Sequence, residues 1–103
     1  MMPDRAELLR LVRMRVAHLV AINVVEESME LYYDLRISGW DLDSLVGWAE
    51  NEFKTDFSRF DVNAYGPGEG AELVRPIAHM IGLRPYKSVT VGDLLDAIQR
   101  GRW

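Results

Sequence analysis

Apolar residues in this chain recur at helical spacing, and no stretch alternates for long enough to make a strand. That periodicity limits the chain to helices joined through their apolar stripes. Leu42, Leu45, Val46, Ala49 and Phe53 form one stripe, on a helix that starts near Ser38 or Gly39. Ser38 with Asp41 reads as an N-cap pair, and Asp41 and Asp43 suit the positive end of the helix dipole. Thr90 with Asp93 caps a last helix that turns Val91, Leu94, Leu95 and Ile98 inward and ends at Gly101. Val89-Thr90-Val91 is too short to count as a strand.

Two further helices are expected. Asp4 followed by Glu7 is a capping-box-like start for helix 1, over about 4 to 20, with Leu9, Val12, Val16, Leu19 and Val20 on one face. A third helix is expected over about 70 to 81. Pro76 should kink or split it, and Gly82 should stop it. The connection from 21 to 36 carries Leu31, Tyr32 and Leu35, which should pack down as one short turn. Phe57, Phe60, Val62 and Tyr65 can plug the core from a loop, and Gly66-Pro67-Gly68 marks a turn. The fold class is all-α: a small four-helix bundle with a long connection between helices 1 and 2 and an enlarged third-helix region. A chain of 103 residues fits a single domain, 1–103.

Composition narrows the function classes. There is no cysteine, which excludes disulfides and thiolate chemistry. Sixteen acidic against 12 basic residues give a net charge of −4, which argues against nucleic acid as a partner. No run approaches the ~20 apolar residues that span a bilayer, and Arg10, Arg13 and Arg15 interrupt the first apolar stretch, so a cytoplasmic protein without membrane contact is expected. Those three arginines spread around the helical wheel as a solvated surface. His18 and His79 read as helix-surface residues. Asp41-x-Asp43 with Glu52 mimics three positions of a calcium loop, but Leu45 and Val46 stand where a ligand and a glycine are needed. No pair of carboxylates is placed for acid–base work. No metal site, catalytic residue or enzymatic activity is expected. Arg100-Gly101-Arg102-Trp103 is a basic tail whose tryptophan should dock back on the bundle.

With these residues in place the chain resembles the acyl carrier proteins, and more closely a bacterial branch of acyl-carrier-like proteins of about this length. Leu31-Tyr32-Tyr33-Asp34-Leu35 is similar to the family's segment before the arm-bearing serine. Glu50-Asn51-Glu52-Phe53 is similar to the end of its second helix, and Thr55-Asp56-Phe57-Ser58 to the loop after it. Val89-Thr90-Val91 with Leu94-Leu95-Asp96-Ala97-Ile98 is similar to the opening of its last helix. Residues 61 to 88 depart from the family, being longer than its short third helix and flanks.

The resemblance implies a 4'-phosphopantetheine arm on a serine at the start of helix 2. The family's serine lies four residues after the leucine at position 35 and fourteen before the phenylalanine at position 53. Both counts reach Gly39, which has no hydroxyl. Ser38 then takes the N-cap place and Trp40 the place of the leucine after the serine. Asp43-Ser44-Leu45 spells the family's loading tripeptide, but about one and a half turns into the helix. Leu45 belongs there to the buried stripe, while Asp43 and Ser44 point away.

On the helical wheel Trp40, Ser44, Gly47, Trp48 and Asn51 fall on the outer half of helix 2. Gly47 leaves a dip between two indoles, and tryptophan is enriched at interface hot spots. The resemblance implies that this helix is the surface partner enzymes read, with Asp41, Asp43, Glu50 and Glu52 keeping some of the family's acidity. The expected function is protein–protein contact through Trp40, Asp41, Ser44, Gly47 and Trp48, without an arm and with no cofactor. The expected partner is a protein such as a fatty-acid or polyketide-type enzyme. The alternative is a working carrier bearing 4'-phosphopantetheine on Ser44 or Ser38. A third reading is a self-associating homo-oligomer. Trp40 and Trp48 could instead fold against Tyr32, Tyr33 or the 61–88 segment.

Overall fold

The computed structural model describes residues 3–21, 24–65 and 86–103. Its order is α1 (Arg5–Leu19), α2 (Gly39–Phe53), a 3-10 turn (Val62–Ala64) and α3 (Val91–Arg100). The all-α class holds, but the described residues contain three α-helices rather than four. The helix expected over 70–81, with Pro76, Gly82 and the Gly66-Pro67-Gly68 turn, lies outside the described residues, as does His79.

Each helix starts where its local chemistry directs. The Asp4 carboxylate accepts the Glu7 N–H at 2.9 Å, while the Glu7 carboxylate pairs with Arg10 rather than closing a capping box. α3 carries the full reciprocal box: Thr90 Oγ1 accepts from the Asp93 N–H at 3.1 Å, and Asp93 Oδ2 accepts from the Thr90 N–H at 2.9 Å. Gly101 ends it at φ 90°, a left-handed conformation that costs glycine little. Ser38 stands at the N-cap of α2 in extended backbone, but its side chain makes no capping bond, which corrects the expected Ser38–Asp41 pair. Its carbonyl accepts instead from the Asp41 and Leu42 N–H groups at 3.1 and 3.4 Å.

α1 packs on both α2 and α3, and the 3-10 turn leans on α2. The core draws Leu42, Leu45, Val46 and Ala49 from α2, with Phe53 at its edge, and Val91, Leu94, Leu95, Ala97 and Ile98 from α3. From α1 it takes Leu8, Val12 and Val16, so Leu8 rather than Leu9 sits at the centre of that stripe. Leu31, Tyr32 and Leu35 are buried from a run of turns, as their apolar spacing implied. The same connection is tied to the start of α3: Leu31 N–H donates to Val89 O at 2.8 Å and Val91 N–H to Met29 O at 2.9 Å. Glu30 and Thr90 there form an isolated antiparallel bridge. The tail does dock back, because Trp103 packs against the rings of Phe57, Phe60 and Tyr65. No helix among the described residues is long and apolar enough to cross a membrane.

Candidate functional site on the outer face of α2

α2 turns its apolar stripe to the core, so its remaining residues make a continuous outer face. Gly39 opens the helix at φ 55°. That is the left-handed region, which costs a residue bearing a Cβ about 1–2 kcal/mol. The next residue, Trp40, is 75% exposed. Asp41, Asp43 and Ser44 follow on the surface. Ser44 Oγ lies 3.5 Å from Arg15 Nη2, a long contact that links α2 to α1. A Cβ built on Gly47 would meet nothing within 4 Å, so the dip expected there is open.

Trp48 departs from the expected outward pair. It is half-buried, with its ring edge-on to Phe53 at 5.4 Å between centroids. The large indole folds along the helix toward the core edge, which a wheel drawn from Cβ directions does not register. Tyr32 and Tyr33 meet edge-on with each other, and Tyr32 with Tyr86, while most of the 61–88 segment, the other alternative for Trp48, lies outside the described residues. Trp40 is therefore the one α2 tryptophan that stands free of the bundle.

The electrostatics of the face are one-sided. Asp41, Asp43, Glu50 and Glu52 are all exposed, and none has an ion pair among the described residues. Glu50 and Glu52 lie at the C-terminal end of α2, and no basic residue occupies its last turn. Negative charge there opposes the helix dipole by about 0.3–1 kcal/mol per charge.

The positions that could carry an arm can be tested one by one. Gly39 lacks a hydroxyl, and its backbone disfavours any residue that would supply one. Ser38 is half-buried at the N-cap. Ser44 is accessible, but about one and a half turns into α2 the backbone N–H groups are already bonded within the helix and none is free for an approaching phosphate. Position 39 thus offers no hydroxyl for an arm, while the Ser38 hydroxyl at the N-cap is not occupied by a capping bond.

Compared with protein-family models, curated proteins and solved structures, the chain matches none. No group of three metal-ligating side chains occurs among the described residues.

Arg10 and Arg13 are exposed, as their wheel positions suggested, while Arg15 is half-buried. Arg13 Nε donates to the Val25 carbonyl at 2.7 Å, and Arg15 Nε is buried without a hydrogen-bond partner among the described residues. His18 is exposed in the last turn of α1. A polar junction at Arg5 was not singled out from the sequence at all. Arg5 bonds Glu27, Asp96 and Gln99, and its partners lie too far along the chain for any local pattern to reveal them.

Proposed function

We propose that this chain is an acyl-carrier-like helical domain that works by binding a protein partner through the outer face of α2, without a phosphopantetheine arm and without catalysis. The observation that carries the reading is the exposed Trp40 indole beside Gly39, on a face whose four carboxylates lack ion pairs among the described residues. Burying a large apolar side chain is worth roughly 1.5–3 kcal/mol, and Trp40 obtains little of that within the chain. Glu50 and Glu52 oppose their own helix dipole, so helix stability does not account for their placement. A partner that covers the indole and brings basic side chains would satisfy both. The resemblance supports the same surface and suggests a fatty-acid or polyketide-type enzyme as the partner class.

Two experiments test the reading. Intact mass after incubation with coenzyme A and a promiscuous phosphopantetheinyl transferase should stay unchanged. A gain of one arm, lost in Ser44→Ala or Ser38→Ala, would make the chain a loadable carrier. A photo-crosslinking residue at position 40 should give one discrete adduct with another protein in cells, whereas the same residue at the exposed position 18 should give none. An adduct with a second copy of the chain would favour self-association, and no adduct at all would remove this face from consideration.

A further inference from the structure

A second polar feature lies away from the outer face of α2. Asp56, Ser58, Arg59, Arg100, Arg102 and Trp103 line a cleft of about 330 Å³ between the loop after α2 and the end of α3. Among the lining side chains three guanidiniums stand against one carboxylate, on a chain whose net charge is −4. The other arginines among the described residues are engaged within the fold. Arg5 and Arg10 are in ion pairs, Arg13 reaches a carbonyl, Arg15 contacts Ser44, and Arg36 lies over the Tyr32 ring. Arg59, Arg100 and Arg102 have no ion pair among the described residues.

The cleft is held by backbone bonds. Asp56 N–H donates to Gly101 O at 2.9 Å, and Trp103 N–H donates to Asp56 O at 2.8 Å, so the segment after α3 is pinned beside the loop. Gly101 supplies the left-handed turn that brings the chain back. Arg100 Nε donates to Arg102 O at 3.1 Å, which anchors that side chain and leaves its terminal nitrogens free. The Asp56 carboxylate is turned to its own loop, where Oδ1 accepts the Ser58 N–H at 2.8 Å.

We propose that this cleft binds a phosphoryl dianion, either inorganic phosphate or the phosphate of a small phosphomonoester. Guanidinium forks donate in pairs to tetrahedral oxyanions, and three forks around one cavity suit a group that accepts from several directions. The excess of guanidinium over carboxylate side chains favours an anion of higher charge. A cleft of about 330 Å³ leaves room for an organic group beside Trp103.

The test is an NMR titration of the ¹⁵N-labelled full chain at constant ionic strength, reading the arginine Nε–H and Trp103 indole signals. Inorganic phosphate and phenyl phosphate should each give saturable shifts at Arg59, Arg100, Arg102 and Trp103. Acetate and chloride should give none that saturate. Arg59→Gln, at an exposed side chain with no hydrogen bond among the described residues, should weaken phosphate about ten-fold, with Arg59→Lys between the two. Arg10→Gln, on α1, should change nothing. Tighter binding of phenyl phosphate assigns the site to a phosphomonoester, and equal binding assigns it to free phosphate. Shifts that fail to saturate, match those of acetate, or survive Arg59→Gln unchanged would overturn the proposal.

Discussion

Arg5 Nη2 lies 2.5 Å from Glu27 Oε1, which ties the first turn of α1 to the long connection. The same guanidinium places Nη1 2.6 Å from Asp96 Oδ1 and 2.8 Å from Gln99 Oε1 on α3. A hydrogen bond to a charged group contributes about 1.5–3 kcal/mol when buried. The Arg5 side chain is about one-third exposed, so solvent screening reduces that value. Arg5→Ala is expected to lower stability by about 1–2 kcal/mol in urea unfolding, or roughly 4–8 °C of melting temperature per kcal/mol. Arg5→Lys keeps the charge but loses the fork and should recover less than half of the deficit. An unchanged urea midpoint in Arg5→Ala would show that the junction contributes no net stability.

Acid stability should depend in part on Asp56. The Ser58 backbone N–H, then the Ser58 side chain, then the nearby Arg59 charge hold its carboxyl below the ordinary value, with desolvation opposing. The folded state therefore binds its proton less readily than the unfolded state does. The contribution is present above the usual carboxyl range near ~4, and is lost as pH falls from there through the lowered folded value. Asp56→Asn, which keeps the oxygen that accepts from Ser58, should show a smaller stability loss than wild type between about pH 5 and pH 3. Parallel urea midpoints across that range would contradict this. Glu7, lowered chiefly by its hydrogen bond from Arg10, has the same sign and should respond in the same direction to Glu7→Gln.

The tryptophans divide sharply by burial. Trp103 meets Phe60 edge-on at 4.8 Å, Tyr65 edge-on at 5.9 Å and Phe57 in a stack at 6.3 Å. Truncating a fully buried tryptophan costs about 3–5 kcal/mol, and partial burial lowers that. Trp103→Ala should cost about 2–3 kcal/mol and remove much of the near-ultraviolet dichroism. Trp40→Ala, at an exposed position, should stay within about ±0.5 kcal/mol of wild type. Denaturant unfolding of the two variants side by side checks both values. Comparable losses would mean that the Trp40 indole is covered, contrary to its role as a free contact residue.

What could be read from the sequence follows the range of each interaction. The apolar stripes of α2 and α3, the Thr90–Asp93 box and the Gly101 stop are local patterns, and they appear as read. For α1 the periodicity located the helix, but Leu8 rather than Leu9 became central. Both lie within one apolar arc, and the packing of α2 and α3 decides between them. The Arg5 junction spans 22 and 91 residues to its two carboxylates, beyond any local spacing rule. The arginine cleft likewise joins the loop after α2 to the far end of the chain. At the candidate site, Trp40 was legible because an outward position near a helix start has little to fold against. Trp48 was not, because its fate depends on the reach of the indole toward Phe53.

Gly47 separates stability from contact on α2. It lies inside the helix, where glycine is less favourable than alanine by about 0.8–1.0 kcal/mol. Beyond its chain neighbours and its own helix backbone, a Cβ at this site would meet no atom within 4 Å among the described residues. Gly47→Ala should therefore raise stability by about 0.5–1 kcal/mol without moving the core, as read from the urea midpoint. If the open dip beside Trp40 and Ser44 receives a partner side chain, the same substitution should reduce crosslinking from position 40. A stabilised variant with crosslinking undiminished would place the contact on Trp40 and the acidic residues alone. A variant that is not stabilised would mean that α2 does not keep regular helical backbone at position 47.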